Sequence, residues 1–313
     1  MADPTLQTAE ASFDRPPDRD PPEPLRAVNL RQRREEVRDR VVAHELEIAQ
    51  HIQHLLLPRK LPQLGGFGLA GGWHSAREVG GDFYDALALS GQSLLLMIAD
   101  VMGKGVPAAL FATTMRGALR GLAARSDDPA QLLSGLNRLL YPELSTVNMF
   151  ITALVARVDL RTRQVTAASA GHCPPLFLTP GRRTVAALAA QGVPLGVLPD
   201  TEYRHETAVM GKPAALLLHT DGLTDTRNPA GKMFSQQRLM AWLRVNSLPG
   251  RRAPELRDRL ERELTRFRDG AAMVDDQAFL LLAEEGPGAG RAADTYAGRL
   301  RFQPGSFLFS ASG

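Results

Sequence analysis

The chain has 313 residues, 44% hydrophobic and 23% charged, enough for one large domain or two small ones with a real core. Its single Cys excludes a disulfide framework and any Cys-rich zinc or iron–sulfur site. A formal net charge of +3, with 37 cations interleaved among 34 acids, excludes the concentrated basic surface of a non-specific nucleic-acid binder.

Residues 1–28 hold Pro4, Pro16, Pro17, Pro21, Pro22 and Pro24, several beside acids, and little that can be buried. They read as a disordered segment. There is no cationic n-region followed by an apolar h-region, and no run of the roughly 18 apolar residues that a membrane span needs. A soluble, cytoplasmic protein is expected. From Asn29 the texture changes. Leu30 to Leu57 contains no Gly or Pro, Val41, Ile48 and Leu55 recur every seven residues, and Val42, Ala49 and Leu56 repeat one step later. This spacing predicts a regulatory or linker helix within 29–60, closed by Pro58. One apolar seam leaves two readings open: a helix packed on its own domain, or a parallel coiled-coil homodimer over 29–57. His44 and His51, on or near the seam, would weaken such a dimer.

After Leu61-Pro62 the pattern turns to short strands, predicted over 67–73, 93–101, 150–159, 164–171, 214–220 and 278–283. The polar turn 160–163 predicts an antiparallel hairpin on either side of it. Helices are predicted over 106–125 and 129–141, the second capped by Asp127 or Asp128, and again near 235–245 and 254–267. A Gly/Ala/Arg-rich composition from Glu284 onward predicts a flexible tail over 286–313. Hairpins with paired helices between them favour an α+β layered domain over 61–285, not a doubly wound parallel sheet.

Four acidic sites stand at strand ends or beside glycines: Asp82 after Gly80-Gly81, Asp100 before Val101-Met102-Gly103, Asp221 before Gly222, and Asp275-Asp276 ahead of the last strand. A carboxylate at the end of a buried strand is costly unless paired or metal-bound. An adjacent Gly lets the backbone turn sharply and a carbonyl approach a ligand. No Lys/Arg cluster accompanies these acids, so a cation is expected to neutralise them, and oxygen-only ligands suit Mg²⁺ or Mn²⁺. Several carboxylates around two ions is the arrangement of metal-assisted phosphate-ester hydrolysis. Each Asp-Gly pair alone is an ordinary turn, and spacing by itself does not name a reaction.

Six segments in order, 76–85, 99–105, 170–175, 192–196, 220–224 and Asp275-Asp276, resemble the motifs of the SpoIIE/RsbU-type serine/threonine phosphatases of the metal-dependent type 2C (PPM) superfamily. The resemblance covers roughly residues 50 to 283. It implies an αββα four-layer sandwich of two antiparallel sheets flanked by helices, with a metal centre at one edge between the sheets. It implies two ions, Mn²⁺ or Mg²⁺: Asp100 bridging them, the Val101 carbonyl on one, Asp221 and Asp275 completing the other, and Asp82 ligating directly or through water. Asp276 is the lesser member of its pair. The implied reaction is hydrolysis of phosphoserine or phosphothreonine by in-line attack of a two-metal-activated water, without a covalent phosphoenzyme. Met102 stands where distant relatives carry a His that serves the leaving group.

The implied partner is a phosphorylated protein, of the STAS-domain anti-anti-sigma class in a bacterial partner-switching pathway. The rival reading is a catalytically degenerate module of the same fold that binds a partner without hydrolysis. Retention of the four acids weighs against it, and Ala278, where relatives often carry Thr, weighs slightly for it. Arg77, five residues before Asp82, is either a clamp on the substrate phosphate or a solvated surface Arg, and Lys104 carries the same two readings. His172 and Cys173, adjacent on a strand and so on opposite faces, read as structural, and His219 as support or core. Arg251 to Arg268 alternates with acids at helical spacing, a solvated face. Neither nucleic acid nor membrane is expected as a partner.

Overall fold

The computed structural model describes residues 23–285 apart from 59, 65, 90–91 and 182–183, with backbone only over 23–30. The tail expected over 286–313, and residues 1–22 of the segment expected to be disordered, lie outside the described residues. Residues 23–28 of that segment are helical, which corrects the expectation. Helix α1 spans Glu23–Leu56, because Pro24 falls in its first turn, where a missing N–H costs nothing.

Two compact units divide the chain, Met1–Leu46 and Glu47–Gly313. In the first, the described side chains of α1 leave the seam open: Val41 is 52% exposed, and Val37 and Val42 are exposed beside it. In the second, the end of α1 is packed. Gln53 is buried and brackets Gly80 with both ends of its amide, and the His54 ring meets Trp73 edge-on at 4.9 Å.

The second unit holds two five-stranded sheets, antiparallel throughout. One runs β2 (Phe83–Leu89), β3 (Ser93–Val101), β4 (Ile151–Asp159), β5 (Gln164–Ala170), β8 (His205–Val209). The other places β1 (Phe67–His74) beside β10 (Gln277–Glu284), then β9 (Ala215–His219), β6 (Leu176–Leu178) and β7 (Val185–Ala187). Helices α2 (Val106–Ala123) and α3 (Pro129–Thr146) cover the first sheet; after the one-turn α4 (Asp221–Thr224), α5 (Gln236–Asn246) and α6 (Ala253–Arg268) cover the second. The result is an αββα sandwich.

The apolar runs have a simple origin: these strands are buried on both faces. Along β10, Leu280 and Leu282 join the core between the sheets, while Phe279 and Leu281 pack against Leu256, Leu260 and Leu264 of α6. Strand β9 divides the same way, Leu216 and Leu218 inward, Leu217 toward the helices. Helix α2 supplies Ala108, Ala112, Met115 and Leu119, spaced three or four apart as one buried face. Asp128 caps α3 by accepting from the backbone N–H groups of Ala130 and Gln131.

Helix α3 outruns its expected end at Tyr141 and continues through Pro142, whose carbonyl accepts from the hydroxyls of Ser145 and Thr146. Strands β2, β6, β7 and β8 were not foreseen. β2 is masked by the acidic motif it continues, β6 and β7 have three residues each, and β8 is a polar edge strand. No helix among the described residues is long and apolar enough to cross a membrane.

Candidate functional site

The four acidic segments meet at one edge of the sandwich, each delivered by a strand end. Asp82 immediately precedes β2, Asp100 is the penultimate residue of β3, Asp221 is separated from β9 by Thr220, and Asp275-Asp276 lead into β10. β2 and β3 belong to one sheet, β9 and β10 to the other, so the cluster lies between the sheets.

Cross-sheet hydrogen bonds hold it. The Trp73 indole N–H donates to the Asp82 carbonyl at 2.7 Å, and the Thr220 hydroxyl donates to Asp82 Oδ2 at 2.7 Å. Thr220 Oγ1 also accepts from the Ala278 N–H at 3.0 Å, which ties the end of β9 to β10. Asp276 accepts from the backbone N–H groups of Ala76 and Gly81, both at 2.7 Å, and so fastens the loop before β10 to the loop before Asp82. A side chain on Gly222 would run into the Asp276 carbonyl, which accounts for Gly after Asp221. The Val101 carbonyl lies against Gly81, where an added Cβ would come within 2.8 Å of its oxygen.

Like charge dominates the electrostatics. Burial, and then the Asp100 carboxylate, push the Asp82 carboxyl well above the usual range. Burial and then Asp221 raise Asp100 to about 6. Burial and then Asp275 raise Asp221. No three Asp, Glu, His or Cys side chains among the described residues converge on a common ligating point. The donor set nevertheless fits a hard divalent cation: carboxylates and a backbone carbonyl, all oxygen, mutually repelling until positive charge is supplied.

Lys104, expected as a phosphate contact or a solvated loop residue, instead pairs with one of these acids: its Nζ lies 2.6 Å from Asp275 Oδ1. Arg77, by contrast, is exposed and makes no ion pair among the described residues, so the structure does not bring it onto the acids.

His172 and Cys173 lie past the end of β5 in irregular backbone, which corrects the expectation of two adjacent strand residues. His172 Nε2 faces the His219 carbonyl at 3.2 Å and must donate to it, so Nδ1 accepts from the Thr152 hydroxyl at 2.8 Å. Burial, and then the neighbouring His219, push His172 down to about 3. Burial also lowers His219. Burial, followed by the charges of Asp221 and Asp100, pushes the Cys173 thiol up to about 12, far from a reactive thiolate.

Sequence reasoning missed Thr220, Trp73, Gln53 and the buried Asp85. Asp85 closes the same motif as Asp82, and its partners Arg116 and Arg120 stand four apart on α2, a spacing that signals one helix face. Thr220 carries no signal beyond its place before Asp-Gly.

The family model of Stage II sporulation protein E (SpoIIE) matches residues 90–284. Over 190 residues the chain is 33% identical to the phosphoserine phosphatase RsbU of Bacillus subtilis (strain 168), covering 61% of this chain and 56% of that protein. Among solved structures it is similar to the SiaA-PP2C domain of Pseudomonas aeruginosa, at 25% identity and a TM-score of 0.68, covering 78% of this chain and 98% of that one. It is also similar to the RsbU and RsbW domains of Rv1364c from Mycobacterium tuberculosis, at 25% identity and a TM-score of 0.62, covering 74% and 64%. The chain spans about half the length of the curated relatives it matches. Because the SpoIIE match covers more than half of the chain and runs through Asp100, Asp221 and Asp275, the chain belongs to the SpoIIE family.

Proposed function

We propose that this protein is a cytoplasmic, metal-dependent phosphoprotein phosphatase that hydrolyses phosphoserine or phosphothreonine. The observation that carries the reading is the cluster of carboxylates from separate strand ends at the edge between two sheets, Asp82 buried, Asp100 and Asp275 half-buried and Asp221 exposed. Within it Asp100, Asp221 and Asp275 raise the pKa values of Asp82, Asp100 and Asp221 in turn. With its carboxylates ionised, such a cluster is costly unless positive charge offsets the repulsion, which a bound cation would do.

In this reading Asp100, the Val101 carbonyl, Asp221 and Asp275 would hold two divalent ions, Mn²⁺ or Mg²⁺, with Asp100 the central ligand. Bound divalent cations supply Lewis-acid charge for the phosphoryl oxygens and activate water for in-line attack. The rest falls to the chain's own side chains. Asp82, fixed by Thr220 and Trp73, accepts hydrogen bonds from the water it orients or ligates directly. Arg77 is assigned to the substrate phosphate, where its exposure leaves it free to meet a protein-borne phosphoryl group.

The phosphatase domain is assigned to 61–285 and the regulatory helix to 29–60. The exposed seam at Val37, Val41 and Val42 supports a homodimer through 29–57. The substrate is assigned to the phosphorylated STAS-domain anti-anti-sigma class of a partner-switching pathway, supported by the likeness to RsbU. Phosphate release from a phosphoserine protein, measured with Mn²⁺ and again after chelation, tests the function. Release confined to the Mn²⁺ sample is expected. Release that survives chelation, or none with Mn²⁺ saturating, contradicts it.

A further inference from the structure

Lys104 sits between Gly103 and Gly105, whose φ angles are +89° and +80°. A Cβ at either position would meet nothing, so backbone conformation and not space demands the glycines. The turn they make carries Lys104 back to the loop before β10. There Nζ lies 2.6 Å from Asp275 Oδ1 and donates to the Val274 carbonyl at 2.5 Å. Asp275 Oδ1 also accepts from the Asp276 N–H at 3.0 Å. Both contacts on Asp275 therefore fall on one oxygen, and Oδ2 has no hydrogen-bond partner among the described residues. Asp276 is already committed to Ala76 and Gly81. Asp100, near the end of β3, precedes Lys104 on the same short segment, so one stretch of chain carries both the central carboxylate and the cation that grips Asp275.

We propose that Lys104 is a positioning residue for cation binding: it holds Asp275 by Oδ1, leaves Oδ2 for the ion, and couples the Asp100 loop to the Asp275 loop. The inference rests on the metal-dependent reading of the site. A lysine that only competed with the ion would have the opposite effect, since its removal would tighten binding.

Calorimetric Mn²⁺ titration of the full chain decides between them, using wild type, Lys104→Met, Lys104→Arg and Asp275→Asn. Lys104→Met is expected to bind one ion about tenfold more weakly, while Lys104→Arg recovers most of that affinity and the chelated proteins melt alike. Unchanged or tighter binding by Lys104→Met, with Asp275→Asn weakened, overturns the role of Lys104 and leaves the metal site standing. Unchanged binding by Asp275→Asn overturns the metal assignment itself, and Lys104 with it.

Discussion

His172 is buried behind the acidic cluster with both ring nitrogens engaged, and this sets a branch of the protein's pH response. Burial, and then His219, hold its folded pKa at about 3 against an ordinary 6.5. Below pH 6.5 the unfolded chain takes up a proton that the folded protein refuses until about pH 3. The stability His172 contributes is therefore complete above 6.5 and is lost as pH falls toward 3. Unfolding free energies from urea titrations between pH 6.5 and 4 are expected to fall more steeply for wild type than for His172→Gln, by up to ~1.4 kcal/mol per pH unit. Parallel slopes would contradict this. At the same scale, Asp82, Asp100, Asp221 and Asp275 were legible in the sequence because each stands in a short motif beside Gly or another acid. Thr220 was not, since its hydroxyl acquires a role only when β9 and β10 bring it opposite Asp82 from the other sheet.

At the scale of elements, the attachment of α2 matters most to the site, because the loop bearing Lys104 runs directly into that helix. Asp85 on β2 is buried and receives Arg120 through Nε at 2.7 Å and Nη2 at 2.8 Å, with Arg116 Nε at 3.1 Å. The two arginines pin the middle of α2 to the strand that follows Asp82. Arg120→Met would leave the buried carboxylate with a single cation. Breaking a buried pair costs about 3–5 kcal/mol. The Arg120 side chain is 43% exposed, so solvent screening places the expected loss nearer ~2–3 kcal/mol. A lowered urea midpoint at constant m-value would show it, and an unchanged midpoint would contradict it. The long strands β3 and β10 were legible as continuous apolar runs of the right length. β8 was not, because an edge strand with His, Glu and Thr facing solvent carries no burial signal.

For the molecule as a whole, periodicity and hairpin spacing reached an α+β layered domain and no further. The number of layers came from the motif resemblance. The pairing of β1 with β10, the first and last strands, is a long-range choice that no local pattern encodes, yet it brings Asp275 and Asp276 to the loop before Asp82. The whole fold thus exists, from the site's point of view, to gather four strand ends that repel one another.

The direct test is single-turnover phosphate release from a phosphoserine protein at saturating Mn²⁺, comparing wild type with Asp100→Asn. Losing Asp100, the central ligand of the proposed site, would remove several kcal/mol of charge stabilisation, which corresponds to a rate lower by on the order of 10³-fold, in a variant that still melts cooperatively. Equal rates in the two proteins, or no release by the wild type, would contradict the account.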